Sequence, residues 1–420
     1  MKRIIRFGRS LLTHRLAKDG FFMFSGTMVA NVGAYLYHLM VGRILGKEAY
    51  SEVGALLSLL YILNVPALVL LTAFTKFFSG YKASGSLDKA RSLFVIATTY
   101  LAIITSILFV LALPFVPFLT QYLRLSSPWL VVWLFVGLVF FVLTTVNIGV
   151  LQGFQRFRQI ALFGIVVSAI RLIFGAIGAP LGVGWTMVGF SVTGIVVYAL
   201  YFLPIGFILQ KKKAVVAIDM MPAVRYMIPT FLAILGITAI YSQDVVLVKH
   251  YLSAADAGLY AALSVLGKII YYASFTVGTI LFPVLAEHHE QGTDRRHMVW
   301  LGLAAVGAIS VILTLGYGLF PTFIVRLLYG RVYDDAAPYM FSFGLFMTFF
   351  SLSYLLIQVC LAVGRTRVWV FAASAAILHV ILVSLYHESL RSVVTVNIGV
   401  SSVLFFALLI YYGMEKNHAK

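Results

Sequence analysis

Two basic residues lie near the centres of long apolar runs. Arg171 lies in the run 160–179, and Lys268 lies in the run 258–285. An ionisable side chain at the middle of a bilayer is energetically costly and usually marks a substrate or ion path. Both side chains can bind phosphate, and arginine can do so through two parallel hydrogen bonds. We therefore expect them to face a wet cavity and bind an anion. The alternative is a hydrogen bond to backbone carbonyls or to Asp244, although no carboxylate is predicted at their depth.

Other polar side chains within the apolar runs are candidates for lining the same cavity, although each could instead be a packing or membrane-interface residue. They are Asn31, Tyr35, Tyr241 and Gln358. Arg43, at the end of the first run, is expected either to bind a substrate head group or to anchor the helix at the interface. Asp244 is the candidate for binding a coupling cation or proton, and its alternative is a structural hydrogen bond. His379 is interpreted as a buried, hydrogen-bonded side chain rather than a proton relay.

Several kinds of chemistry are not supported by the sequence. The single cysteine, Cys360, excludes an internal disulfide and argues against a thiolate metal site. Adjacent acids and histidines at 287–290 are expected in a solvated loop, since neighbours on a turn rarely converge on one ion. Asp334 and Asp335 are expected in a hydrated turn. No GxxxxGK[ST] phosphate loop is present, so we expect no ATP hydrolysis, no catalytic residue, no metal and no cofactor.

The composition is that of a membrane protein. The 420 residues are 62% hydrophobic and 11% charged, with a mean hydropathy of +1.01. A soluble domain would carry about 25% charged residues, so no sizeable soluble domain is expected. Continuous apolar runs favour helices over barrel strands, and twelve of them are long enough to cross about 30 Å of hydrocarbon. These runs are 20–44, 53–79, 93–117, 128–152, 160–179, 183–209, 226–250, 258–285, 297–325, 337–363, 368–387 and 392–413.

The distribution of Lys and Arg predicts the orientation. Placing the N-terminus in the cytoplasm puts 22 basic residues in cytoplasmic segments and 7 in outer segments. Both termini are therefore expected in the cytoplasm, with the chain in the cytoplasmic membrane. Residues 1–19 are expected to form a basic amphipathic helix on the membrane surface. The net charge of +17 reflects this topology and attraction to anionic lipid, not nucleic-acid binding.

The chain resembles two copies of a six-helix unit, related by a shift of about 207–209 residues. Residues 45–50 correspond to 252–257, and Arg156-Phe157-Arg158 corresponds to Arg365-Thr366-Arg367. An even number of helices per half predicts parallel repeats around a central cavity, which is transporter geometry. The predicted fold is an all-α membrane protein with about 12 transmembrane helices in two such repeats. The predicted domains are segment 1–19, an N-terminal lobe 20–209, a basic cytoplasmic linker 210–225, a C-terminal lobe 226–413 and a cytoplasmic tail 414–420.

Several stretches carry a resemblance to a known family. In the second half they are Asp244-Val245-Val246-Leu247-Val248, residues 252–260, Leu281-Phe282-Pro283-Val284-Leu285 and Leu327-Leu328-Tyr329-Gly330-Arg331. In the first half they are Arg43-Ile44-Leu45-Gly46 with Tyr50-Ser51, and residues 151–157. Together they resemble the polysaccharide-biosynthesis, lipid-linked oligosaccharide branch of the multidrug/oligosaccharidyl-lipid/polysaccharide flippase superfamily. Ser51 departs from the glycine that is common there, which suggests a slightly altered helix entry.

The resemblance implies a flippase, not an enzyme, that moves a polyprenyl-diphosphate oligosaccharide across the cytoplasmic membrane for surface polysaccharide synthesis. The expected partners are this lipid-linked oligosaccharide, membrane lipid and a possible coupling cation, and a monomer is expected. A multidrug or cation antiporter of the same superfamily is an alternative, but it predicts carboxylates at mid-membrane. A polysaccharide polymerase or ligase is another, but it needs a large outer catalytic loop, and the outer connections here are short.

Overall fold

The computed structural model describes residues 2–209, 231–232, 234–290, 296–363 and 365–414. Within these ranges the chain is helical and contains no β-strand. The predicted linker 210–225 lies outside the described residues, as does the tail beyond residue 414. The prediction of an all-helical membrane protein is confirmed.

Eight α-helices are described in the first half of the chain. They are α1 (Lys2–Leu63), α2 (Val65–Ala83), α3 (Leu87–Ala112), α4 (Val116–Tyr122), α5 (Trp129–Gly153), α6 (Phe157–Gly178), α7 (Val183–Leu200) and α8 (Phe202–Leu209). Short 3-10 turns at Leu113–Phe115 and Ala179–Leu181 follow α3 and α6. Each contains a proline, which lacks the N–H that a continuing α-helix would need.

The second half begins with helical residues 234–240. The helices that follow are α9 (Gln243–Tyr251), α10 (Ala254–Glu290), α11 (Arg296–Leu319), α12 (Pro321–Leu328), α13 (Met340–Ala362), α14 (Trp369–Leu385) and α15 (Leu390–Gly413). A 3-10 segment, Arg331–Tyr339, connects α12 to α13.

The described helices agree with most of the predicted spans. Eight helical segments are long and apolar enough to cross a membrane, and a ninth is obtained when the pair 28–63 and 65–83, bent by 41°, is counted as one span. The count is below twelve because α1 merges the first span with the start of the second. In addition, α14 has only 17 residues, and part of the span 226–250 lies outside the described ranges.

A glycine breaks the long first helix where the sequence predicts a connection between two spans. Gly46 has φ 74° and ψ 170°, which is not helical. This region is essentially restricted to glycine, because a Cβ would clash with the backbone. Gly46 therefore divides α1 into an arm that ends near residue 45 and a second arm that continues to Leu63.

One compact unit comprises residues 1–41, 66–120 and 127–227, of which those in the described ranges can be followed. In it, α5 packs against α3 and α7, and α6 packs against α7. A continuous core is formed by buried side chains that include Phe78, Leu93, Val150 and Ile205. The first arm of α1 approaches α6 so closely that a Cβ on Gly33 would lie 1.8 Å from Ser168 Oγ. Small residues at such a crossing are typical of membrane helix pairs.

The second compact unit comprises residues 42–65, 121–126 and 228–420. Its centre is α13, which packs against α10, α11 and α15. Phe343, Phe346 and Phe350 of α13 are almost fully buried. Both units are discontinuous in sequence, and the lobe boundaries 20–209 and 226–413 stay a prediction.

Two helix ends are alike at positions that the predicted repeat makes equivalent. After α5, the Arg156 N–H donates to the Leu151 carbonyl at 2.8 Å. After α13, the Arg365 N–H donates to the Cys360 carbonyl, also at 2.8 Å. Such a bond across five residues is a common way to close the last helical turn. This agreement favours the duplication that the sequence suggests.

We predict that Gly46→Ala destabilises the protein by about 1–3 kcal/mol, because alanine is strained at this φ and ψ. The measurement is thermal unfolding of the detergent-solubilised protein. The matched control is Gly399→Ala in α15: a Cβ meets nothing within 4 Å at either site, and only Gly46 has a positive φ. An equal or higher unfolding temperature for Gly46→Ala than for Gly399→Ala would contradict the prediction.

Candidate functional site

Lys268 is buried in α10 between two tyrosine rings. Its side chain is 7% exposed, and Nζ lies 5.1 Å from the Tyr61 ring centroid and 5.2 Å from that of Tyr241. No described carboxylate forms an ion pair with it. Cation–π contacts contribute about 0.5–2 kcal/mol each, whereas removing an ammonium from water costs several kcal/mol. The rings therefore compensate only part of the burial cost, and the ammonium retains a strong preference for an anionic partner.

The tyrosines around Lys268 belong to a larger aromatic cluster. The Tyr241 ring stacks on Tyr271 with centroids 5.6 Å apart, and Tyr354 meets Tyr271 edge-on at 5.2 Å. Gln358 donates from Nε2 to the Tyr354 hydroxyl at 2.5 Å. The predicted cavity residues Tyr241 and Gln358 are thus connected to Lys268 through these rings. The cluster combines flat apolar faces with hydroxyl and amide groups.

Asp244, in α9, is fully buried and hydrogen-bonded. Its Oδ2 accepts from the Tyr260 hydroxyl at 2.7 Å, and its Oδ1 accepts from the Val245 N–H at 2.8 Å. Although no carboxylate is predicted at the depth of Lys268, Asp244 attracts that lysine electrostatically. The two groups do not form an ion pair.

A series of hydrogen bonds runs from Gln243, the residue before Asp244, through three other side chains to the Asp244 carboxylate. Gln243 Nε2 donates to His379 Nδ1 at 2.8 Å, and His379 Nε2 bonds to Asn397 Oδ1 at 2.6 Å. Asn397 Nδ2 donates to the Tyr260 hydroxyl, which donates to Asp244. An amide N–H can only donate and an amide oxygen can only accept, so His379 carries its proton on Nε2. Every donor in this chain, which we call the Asp244 chain, points toward the carboxylate.

The Asp244 chain ties together four helices of the second unit. Gln243 and Asp244 belong to α9, Tyr260 to α10, His379 to α14 and Asn397 to α15. Tyr260, Asp244 and Asn397 are 0% exposed, and His379 is 1% exposed. Buried polar groups at such depth stabilise a fold only when all of them are paired, as they are here.

The sequence did not predict two members of the Asp244 chain, Asn397 and Tyr260, as site residues. Asn397 is a lone amide within the apolar run of α15, and Tyr260 is one of many tyrosines. The amide within an apolar run was the available signal, since such a group needs a partner in lipid. Nothing in the sequence distinguishes Tyr260, because its importance comes from the side chain that it meets in α9.

Arg171 lies half-buried in α6, within the first unit. Its guanidinium carbon lies 5.5 Å from the Phe190 ring centroid and 6.0 Å from that of Phe141. Nε is buried without a hydrogen-bond partner among the described residues. Arg171 therefore resembles Lys268 in having aromatic neighbours, and its Nε is a buried donor that no described residue satisfies.

The remaining predicted site residues are placed differently. Arg43 donates to the carbonyls of Arg326 (3.3 Å) and Leu327, at the C-terminal end of α12. This capping contact gives Arg43 a structural role, because cations are stabilising at a helix C-terminus. Asn31 is exposed on α1 and Tyr35 is half-buried. Both belong to the first unit, and their role in lining a cavity stays a prediction.

The acids of the expected hydrated turn are ion-paired. Asp334 accepts three hydrogen bonds from the Arg326 guanidinium at 2.7–3.0 Å. Asp335 pairs with Lys47 at 3.4 Å. These contacts fasten the 3-10 segment to its neighbours. Within the described part of the chain, no group of three His, Cys, Asp or Glu residues is placed to hold a metal ion.

The family comparison covers the first half and the start of the second. Residues 16–289 match the family described as Polysaccharide biosynthesis protein. The chain belongs to this family. The match to the Polysaccharide biosynthesis protein family includes Arg171, Asp244 and Lys268, whereas His379 and Asn397 lie beyond it. None of the curated protein sequences matches the chain.

Solved structures share the fold of this chain over nearly its full length. An inward-facing multidrug resistance MATE family transporter of the MOP superfamily matches with a TM-score of 0.76 at 13% identity, covering 95% of this chain and 99% of that one. The Lipid II flippase MurJ matches with a TM-score of 0.75 at 15% identity, covering 94% and 87%. A mutant of the Vibrio cholerae MATE transporter VcmN matches with a TM-score of 0.66 at 13% identity, covering 96% and 97%. At these identities the likeness establishes the fold.

We predict that Asn397→Ala lowers the free energy of unfolding by about 1–3 kcal/mol, because it leaves His379 Nε2 buried without an acceptor. Thermal unfolding in detergent is the measurement. Thr395→Ala, an exposed position two residues earlier in α15, is the control. Equal unfolding temperatures for the two variants would mean that the Asp244 chain adds no stability.

Proposed function

We propose that this protein is a flippase that moves a polyprenyl-diphosphate-linked oligosaccharide across the cytoplasmic membrane for surface polysaccharide synthesis. Family membership supports the polysaccharide pathway, and the fold is shared with a lipid flippase and with multidrug transporters. The proposal places both termini in the cytoplasm and assigns the protein no chemical step.

The observation that carries the proposal is the burial of Lys268 without an ion-paired carboxylate. A diphosphate diester has two negative charges, and moving such charges through hydrocarbon alone is prohibitively costly. The ammonium offers N–H donors that no described residue occupies. A lysine is a compact charge without the two-pronged grip of arginine, so it can bind a phosphate and also release it. Arg171, in the first unit, is proposed to bind phosphate as well.

The aromatic cluster beside Lys268 suits the sugar that follows the diphosphate. The rings of Tyr241 and Tyr354 offer apolar faces, and Gln358 and the tyrosine hydroxyls offer hydrogen-bonding groups. Ligand sites of this kind combine a mostly apolar lining with a few polar groups that fix orientation. A cationic drug, the cargo of a multidrug antiporter, would be repelled by Lys268. The charge of the site therefore favours an anionic lipid over that alternative.

Asp244 is proposed as the group that couples transport to a cation or proton. A flippase with equal affinity for its cargo in both states shifts no equilibrium, so direction requires an ion gradient or removal of product. Asp244 is a buried acid that attracts Lys268, and a positive charge bound there would be felt at the cargo site. We propose that the protein works as a monomer with membrane lipid around it.

We predict that Lys268→Ala and Arg171→Ala each slow translocation of a lipid-linked glycan about ten- to a hundredfold, the loss expected for one charge-assisted hydrogen bond. The measurement is flipping of a fluorescent polyprenyl-diphosphate glycan in proteoliposomes. Lys268→Arg should retain a larger fraction of the rate than Lys268→Ala, because it keeps the charge.

The control for these variants is Arg391→Ala, which removes an exposed cation at the start of α15. Insertion is checked by the yield of monodisperse protein. Wild-type rates in both Lys268→Ala and Arg171→Ala would refute the proposed role of the buried cations. Transport of cationic dyes in place of the glycan would favour the antiporter.

We predict that Tyr241→Leu slows translocation about five- to thirtyfold, because it removes a cation–π contact worth about 1–2 kcal/mol at a buried lysine. Tyr241→Phe keeps the ring and should stay within about twofold of wild type. The same proteoliposome assay measures both variants. Equal losses in the two would assign the effect to the hydroxyl and would contradict a role for the ring.

A further inference from the structure

Asn64 lies at the point where the second predicted span is interrupted. α1 ends at Leu63 and α2 begins at Val65, and the two helices are bent by 41°. The Asn64 N–H still donates to the Leu60 carbonyl at 2.8 Å, so the last turn of α1 is intact. Asn64 therefore occupies the same helical turn as Tyr61.

Tyr61 connects this turn to the buried ammonium. Its ring centroid lies 5.1 Å from Lys268 Nζ. Side chains three residues apart are neighbours on a helix surface, so the side chain of Asn64 lies beside that of Tyr61. Residues 42–65 and Lys268 both belong to the second unit. Asn64 is therefore a polar neighbour of the proposed diphosphate site.

The amide oxygen of Asn64 is buried without a donor. Asn64 Oδ1 has no hydrogen-bond partner among the described residues. Buried polar groups in proteins are nearly always paired, and an unpaired one calls for a water, an ion or a functional explanation. The positive charge of the neighbouring Lys268 favours an oxygen over an amide nitrogen at this place. Since hydrocarbon offers no donor, the partner of this oxygen must come from outside the chain.

The seventh predicted span is also interrupted beside Lys268. Residues 234–240 are helical, Tyr241 and Ser242 form a turn, and α9 begins at the next residue. Tyr241 contributes the second ring, 5.2 Å from Lys268 Nζ. Ser242 is 0% exposed, and its hydroxyl has no hydrogen-bond partner among the described residues. Transporters typically form substrate sites near the bilayer midplane from discontinuous helices. Two interrupted spans with unpaired polar groups, next to one buried cation, fit this pattern.

The cargo proposed above carries the donor that Asn64 lacks. Its diphosphate is bonded to C1 of the first sugar, and C2 of that sugar bears a hydroxyl or an amide N–H. This group is the hydrogen-bond donor of the sugar that lies nearest to the diphosphate. When the diphosphate is bound at Lys268, an acceptor beside Tyr61 can receive this hydrogen bond. A carboxylate would also accept it but would repel the phosphate, so an uncharged amide suits the position.

We infer that Asn64 determines specificity for the first sugar of the cargo by accepting a hydrogen bond from its C2 hydroxyl or amide group while Lys268 binds the diphosphate. This inference rests on the proposed function. A sugar without a C2 donor leaves the Asn64 oxygen buried and unpaired, and a site built around a hydrogen bond rejects such an analogue. The protein thus distinguishes its cargo from other polyprenyl diphosphates at the sugar nearest to the lipid.

The experiment compares two probes that differ only at C2. They are farnesyl-diphosphate-linked glucose and farnesyl-diphosphate-linked 2-deoxyglucose, and their affinities are measured for the full-length protein in nanodiscs. Wild type should bind the glucose probe about tenfold more tightly. A tenfold ratio corresponds to about 1.4 kcal/mol, which is typical of one hydrogen bond in a buried site.

Asn64→Leu should abolish this preference. The two probes should then bind within about twofold of each other, because the site no longer has an acceptor. The variant should also unfold at a temperature at least as high as that of wild type, since it removes a buried unpaired group. Thr72→Val is the matched control, because it makes an exposed polar residue of α2 apolar, and the Thr72 hydroxyl already bonds to the Leu68 carbonyl. It should keep the tenfold preference.

Lys268→Gln separates recognition of the diphosphate from recognition of the sugar. It should weaken binding of both probes by about tenfold or more, the loss expected for a charge-assisted hydrogen bond, and leave their ratio unchanged.

The outcomes separate the inference from the function on which it rests. Equal binding of the two probes by wild type, or a tenfold preference that persists in Asn64→Leu, would overturn the specificity role and leave the cargo assignment standing. A lower unfolding temperature in Asn64→Leu than in wild type would also overturn it, in favour of a structural role for the amide. Absence of binding of either probe by wild type would overturn both.

Discussion

The burial of one positive charge, the Lys268 ammonium, constrains the packing around it in the second unit. Burial removes the Lys268 ammonium from water, which costs several kcal/mol of hydration free energy. Its contacts with two tyrosine rings offset only part of that cost. The rest of the desolvation cost must be offset by a negative charge. The structure provides one at a distance, on Asp244, and leaves the lysine without an ion pair among the described residues. A buried lysine with a carboxylate at a distance and no ion pair has its charge partly stabilised, and its ammonium is still open to an anion.

The position of that negative charge depends on packing of four helices. Asp244 accepts from Tyr260, Tyr260 accepts from Asn397, and Asn397 is bonded in turn to His379. Movement of any one helix would break a link between fully buried groups. The same hydrogen bonds that fix the helices therefore also fix the position of the carboxylate relative to Lys268.

The sequence identified a site residue directly where the energetic cost of its position can be recognised from its neighbours in the chain. A lysine or arginine within an apolar run is conspicuous, so Arg171 and Lys268 were found directly. Arg43 was ambiguous, because an arginine at a helix end can bind a ligand or cap a neighbouring helix, and only the contact with Arg326 and Leu327 distinguishes the two. Asp334 was expected to be hydrated, since its partner Arg326 lies in another element.

Composition and the lengths of the apolar runs determined by themselves that the protein is a helical membrane protein, because hydrocarbon forces every backbone group into internal hydrogen bonds. The breaks also follow from sequence, as at Gly46, where the backbone angle suits glycine alone. Tertiary structure alone decided which polar groups meet. Asp244 is far in sequence from His379 and Asn397, and their connection through Tyr260 depends on side-chain directions that no helical period encodes.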